Sequence, residues 1–313
     1  MPEIETSEPS LDLFLDTLVD TPLRDDRALL EFPWFGLSKR PQMKALTFER
    51  DEVKIVVSPG SRGVATIWDR DVLIYAASKI NEAVERGEKI SKTMRFVAHD
   101  FLKVTNRGTN KGSYELLKDA LFRLRSTTIE TTITSAGQRN HRGFGWLDSF
   151  EIVEDEKPDG SRRMRAVEIT ISDWMFRAIT KERRVLSINA DYFKLEGGLE
   201  RRLYQLARKH VGRQRSWRCG LARLAEKVGT TQELRFFKRD LRAIIDADSL
   251  PDYRYAIEGV TDVEIDPAFK AQGIKFKPRP NDKLMVTVSP KGKRLAKPPA
   301  LAEDLYEGED ETS

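Results

Sequence analysis

The chain has 313 residues, 39% of them hydrophobic, which is enough for two modest domains with cores of their own. Its net charge of +4 hides a segregation: nine acids against two arginines in residues 1–31, six acids and no lysine or arginine in residues 302–313, and about +17 in between. So basic a body calls for a polyanionic partner; the lone Cys219 excludes an intramolecular disulfide and suits a reducing, cytoplasmic setting, and no run nears the ~18 apolar residues of a membrane span.

In chain order, residues 1–30 are too acidic to bury, do not read as a signal peptide, and are expected to be disordered. LEFPWFGLSKRP (30–41) reads as an extended segment pinned by Phe32, Trp34 and Phe35. VKIVVSP (53–59) and VATIW (64–68) read as two short strands about a turn with Pro59, Gly60 and Gly63. Asp69 or Asp71 is placed to cap a long helix with Leu73, Ile74, Ala77, Ile80 and Val84 on one face, ending near Gly87. FVAHDFLKVT (96–105) predicts a shorter helix and NRGTNKGS (106–113) a polar loop. YELLKDALFRLR (114–125) predicts a helix turned inward through Leu117, Leu121 and Leu124.

The β-branched, alternating STTIETTITS (126–135) is a strand. AGQRNHRGFG (136–145) reads as a basic loop, WLDSFEIVE (146–154) as the strand that returns to pair with residues 126–135, and MRAVEITIS (164–172) as a third strand. Helices followed by a hairpin with a basic tip are the order of a winged helix, with Gln138, Arg139, Asn140, His141 and Arg142 in the wing.

The second half repeats that order. YFKLEGG (192–198) reads as a joint whose glycines permit a change of orientation, and LERRLYQLARKHVG (199–212) as a helix. In LARLAEKVG (221–229) Leu221, Leu224, Ala225 and Val228 recur at helical spacing before a terminal glycine. Thr230 or Thr231 is placed to cap the next helix, whose apolar face is Leu234, Phe237, Leu241, Ile244 and Ile245. Arg235, Lys238, Arg239 and Arg242 recur at the same spacing on another face, which with Gln232 is the pattern of a DNA-reading helix rather than a solvated one, since only Glu233 and Asp240 intersperse acids. Phe236, beside Phe237, is expected to pack on the wing, with reaching a thymine methyl in the groove as the weaker alternative, and Trp217 to pack in a core or between domains rather than stack on a base. Strands at 252–260 and 283–290 would close that wing, its basic tip carrying Lys270, Lys275, Lys277 and Arg279.

The fold expectation is therefore α+β: two tandem winged-helix domains with acidic termini, divided into a tail (1–30), a first domain (31–187), a second (188–290) and a C-terminal tail (291–313). A helix-turn-helix joined to an unrelated α+β dimerisation domain is the weaker alternative. His99, His141 and His210 are scattered, so no metal is expected. A His-apolar-His pair beside a nucleophilic tyrosine, which a nicking enzyme needs, is missing, as is a phosphate-binding GxxxxGK[ST] loop. No catalytic residue and no cofactor are expected.

Over roughly residues 30–260, the chain resembles the plasmid replication initiators of the RepA type. The resemblance rests on FVAHDFLKVTNRGTNKGSYELLKDALFRLRSTTIETTI, YFKLEGGLERRLYQLARKH and LARLAEKVGTTQELRFFKRDL. It implies binding to double-stranded DNA at repeated origin sites, opening of the duplex, and recruitment of the host initiator and replicative helicase machinery. A monomer–dimer equilibrium, with the dimer repressing the protein's own gene, is implied too. The first domain would dimerise and touch DNA backbone, through Lys111, Ser113, Tyr114 and Lys118 and the wing. The second would give most base readout. A winged-helix transcriptional repressor without a replication role would share the same reading face.

Overall fold

The computed structural model describes residues 13–14, 33–50, 53–135, 138–156, 158, 160, 162–182, 187–212, 214–258 and 284–291. Apart from residues 13–14, the acidic ends and the second basic tip lie outside the described residues.

The apolar side chains of the first half collect in one core, built on two antiparallel sheets and four helices. Beyond a two-residue strand β1 (Leu13–Phe14), one sheet has β2 (Leu46–Arg50), β3 (Val53–Ser58), β5 (Thr128–Ser135) and β6 (Gln138–Phe144) in the order β2-β3-β5-β6. The other runs β4-β8-β7, from β4 (Thr93–Val97), β7 (Leu147–Glu156) and β8 (Arg162–Ile171). The helices are α1 (Arg70–Glu85), α2 (Ala98–Val104), α3 (Lys111–Ser126) and α4 (Asp173–Glu182). In α3, Leu117, Leu121 and Leu124 are fully buried, as their spacing requires.

Five expectations for this half change. Residues 64–68 form no strand: Val64, Ala65 and Ile67 are buried in an irregular segment whose amides donate instead to Gln42 O, Thr127 Oγ1 and Gly36 O. Most of the basic loop is itself a strand: β6 pairs antiparallel with β5, from Ser135 opposite Gln138 to Ile129 opposite Phe144. WLDSFEIVE does not pair with residues 126–135; β7 pairs with β8. The 96–105 helix starts only at Ala98, its first two residues ending β4, and the last residues of the expected polar loop begin α3. Asp69 holds the N-cap position of α1 without bonding the helix; its carboxylate accepts from Thr66 N and from the buried Arg123 guanidinium at 2.7 Å.

The second core lies among α5 (Gly198–Val211), α6 (Leu221–Val228), α7 (Leu234–Ala247) and a sheet of β10 (Trp217–Gly220), β12 (Met285–Pro290) and β11 (Tyr253–Glu258), in the order β10-β12-β11. Strand β9 (Ser187–Ile188) pairs with β1, and a 3-10 turn spans Ala190–Lys194. Trp217 packs in this core, stacked on His210 at 4.2 Å. On the same strand, burial pushes the Cys219 thiol up to about 11. Iodoacetamide at pH 8 should therefore label the folded chain slowly and the urea-unfolded chain fast; equal rates would mean an open thiol. Because the folded thiol holds its proton more tightly than an unfolded one (about 8.5), its stabilising contribution persists below that pH and declines toward pH 11.

A buried polar network joins the halves. Arg201 of α5 meets Asp71 of α1 at 2.9 and 3.0 Å, with side chains 4% and 0% exposed, and Arg107 reaches the same carboxylate at 2.8 Å. Arg201 also donates to Leu195 O and Phe193 O, and Arg70 donates to Gln205 Oε1 at 2.7 Å. The segment from Pro33 to Leu37 lies in the same seam. Phe35 stacks on Trp146 at 4.6 Å in the first core, while Pro33 lies directly on Gly229 and Leu37 O on Gly198. The glycines expected to loosen the joint thus permit close approach: a Cβ on Gly198 would come within 2.0 Å of that carbonyl.

Candidate nucleic-acid interface

The turn between α6 and α7 is made by Gly229, left-handed at φ +80, whose amide bonds back to Ala225 and Glu226. The expected threonine cap is absent: Glu233 holds the N-cap of α7 with no side-chain bond, and Thr230 Oγ1 accepts from Gln232 N. Arg202 of α5, itself buried, donates to Lys227 O at the carboxyl end of α6, where a cation complements the helix dipole. This contact ties α6 to α5. The sequence does not mark it, since residues 199–212 read only as a helix.

On α7, Phe237 and Leu241 are fully buried, and Leu234, Ile244 and Ile245 pack at the edge of the core. Anchoring those positions turns the opposite face outward. Gln232 is exposed just before the helix, Arg235 and Arg239 are exposed on its first turns, and Lys238 and Arg242 are half-buried along its flank. Arg235 pairs with Glu233 at 2.9 Å and Arg239 with Asp240 at 2.8 Å, both pairs open to solvent. Such pairs are worth at most about 1 kcal/mol, so either guanidinium can be exchanged to a phosphate or a base edge at small cost. The tip of the second wing lies outside the described residues, and among those residues no strand is seen against Phe236. Phe236 is 38% exposed, with the Arg235 and Arg239 guanidinium groups over its ring at 4.7 and 5.4 Å.

The corresponding helix of the first domain, α3, is different. Lys111 is exposed at its start, Lys118 is half-buried on the same flank, and Tyr114 packs partly against the first core. Ser113 is tied into the cap, its amide and hydroxyl both donating to Asn110 Oδ1 at 3.0 and 3.2 Å. The outward side of α3 also carries exposed Glu115 and Leu116, and Asp119 held by Arg62 at 2.5 Å. Its charge is mixed where that of α7 is mainly positive. Arg139, Asn140 and Gln138 are on β6 with Arg142, which is exposed. In the described order β6 is the outer strand of its sheet, and a polar, basic edge discourages pairing with another strand.

Among the described residues no group of three His, Cys, Asp or Glu side chains could hold a metal ion, and no helix is long and apolar enough to cross a membrane.

Comparison with known proteins places these elements in context. The model of the replication initiator protein A family matches residues 24–255. A curated protein of Wigglesworthia glossinidia brevipalpis, named for replication, is 36% identical over 232 residues, covering 74% of this chain and 83% of the relative. Two crystal structures of domains 2 and 3 of RctB superpose with TM-scores of 0.57 and 0.53 at 12% and 14% identity. They cover 83% and 80% of this chain and 95% and 92% of theirs, so the likeness is one of fold and extends over both winged-helix domains.

Proposed function

Since this chain belongs to the replication initiator protein A family, we propose that it starts replication by binding repeated double-stranded sites at an origin, with α7 as the principal reader. The observation that carries this reading is the outward face of α7, where Arg235 and Arg239 stand exposed on a helix locked from behind by Phe237 and Leu241. Recognition helices present their first turns to base edges in the major groove, and arginine forks match the two acceptors of guanine. Lys238, Arg242 and Gln232 flank them.

In this reading residues 188–290 supply most base readout. Residues 31–187 dimerise and hold the DNA backbone, through Lys111, Ser113, Tyr114, Lys118 and the β5–β6 wing with Gln138, Arg139, Asn140 and Arg142. The protein acts by binding rather than catalysis: it deforms the duplex and passes it to the host initiator and helicase machinery, and as a dimer it represses its own gene.

Arg239→Ala is expected to weaken binding to a preferred site by about 1–3 kcal/mol while changing random-duplex binding much less. Electrophoretic shifts on both duplexes test it. Equal weakening on the two would make Arg239 a phosphate clamp and remove α7 as reader. Replication, in turn, is tested by supplying the gene in trans to a plasmid stripped of its initiator: repression without replication favours a plain repressor.

A further inference from the structure

The proposed reading surface contains a side chain that charge alone does not explain. Phe236 is an exposed phenylalanine in the first turn of α7, the part of a recognition helix that approaches bases most closely. It cannot be a displaced core residue, because Phe237 fills the core position at 1% exposure and a step of about 100° carries its neighbour out of it. Leaving an aromatic ring in water is unfavourable unless something covers it. Its companions are cations: Arg235 and Arg239 lie over the ring, 4.7 and 5.4 Å from its centroid.

That arrangement has chemical content. A guanidinium over an aromatic face keeps its in-plane N–H donors pointing away from the ring, so the cluster offers an apolar surface flanked by two donor forks. In the major groove only thymine offers an apolar group, its C5 methyl, while guanine and the phosphates offer the acceptors the forks require. A host protein or a second copy of this chain would also cover a phenylalanine. Neither is favoured by two adjacent guanidinium groups, which an apolar protein surface would have to desolvate. Resting on the origin-binding reading above, we infer that Phe236 is a specificity-determining residue that reads a thymine through its C5 methyl, and that it aligns Arg235 and Arg239 on the flanking acceptors.

The test uses the full chain and a duplex that the chain itself enriches from a randomised library. Each thymine is replaced in turn by deoxyuridine, which pairs alike but lacks the methyl. At one position the wild type should lose about fourfold in affinity, the worth of one buried methyl. Phe236→Ala should bind the thymine duplex at least that much more weakly and be indifferent to uracil at that position; Phe236→Leu, still apolar, should keep part of the discrimination. The inference is overturned if Phe236→Ala keeps the wild-type uracil sensitivity everywhere, or if no uracil matters to the wild type. It is overturned too if the variant binds DNA normally and instead changes self-association in sedimentation, which would make Phe236 a protein contact. Failure to enrich any duplex would overturn the origin-binding reading itself, whereas enrichment without methyl dependence removes this inference alone.

Discussion

Asp71→Ala is expected to destabilise the chain by about 3–5 kcal/mol, the usual consequence of removing one partner from a buried ion pair. The carboxylate is fully buried and shared by Arg201 and Arg107. Without it, Arg201, 4% exposed and bonded also to the carbonyls of Leu195 and Phe193, would keep its charge with no carboxylate beside it. Asp71 is on α1 and Arg201 on α5, so the loss falls on the seam between the halves. Urea denaturation of the full chain, followed by tryptophan fluorescence, measures it. A loss below about 1 kcal/mol would mean that water or a neighbouring acid replaces the carboxylate. Binding to the enriched duplex at temperatures well below melting should change far less than for Arg239→Ala.

Gly229→Ala is expected to cost about 2–5 kcal/mol. A left-handed residue with a Cβ is disfavoured by about 1–2 kcal/mol, and overpacking adds about 1–3 kcal/mol. Both apply here, since φ is +80 and the new Cβ would fall 1.9 Å from Pro33 Cγ. Gly87 is the control: φ is +70, but nothing lies within 4 Å of its Cβ position, so Gly87→Ala should show only the backbone part. Equal losses in the two variants would mean that the contact with Pro33 relaxes freely.

The parts of this fold that were legible in the sequence are those in which one helix carries one buried stripe. Phe237 and Leu241, with their spacing and the glycine before them, predict α7 almost residue for residue, and its basic face follows by exclusion. Strand β6 was hidden because its residues are polar and charged, as befits a sheet edge, and periodicity cannot mark a strand without an apolar face. The opposite error occurred at residues 64–68, where an unbroken apolar run is buried without pairing as a strand. Helix α4 is only weakly marked in the sequence, where Met175 and Ile179 recur at helical spacing after Ser172, whose Oγ accepts from Met175 N. The β10 strand is four residues ending in glycine, too short for any alternation. The network of Asp71, Arg107 and Arg201 could not be read at all, because the charges that meet there are far apart in the chain.

The strap from Pro33 to Leu37 imposes an order on how the chain is made. A ribosome releases this segment among the earliest described residues, and Trp34 and Phe35 must wait for Trp146 before they have an aromatic partner to pack on. Gly198 and Gly229, which receive Leu37 O and Pro33, emerge later still. The amino-terminal half therefore finishes its own core while one side of its strap has nothing to rest on. Domains generally fold in the order of synthesis, and surface left open meanwhile invites wrong partners. A nascent chain stalled before α5 would lack both glycines and leave that side of the strap uncovered.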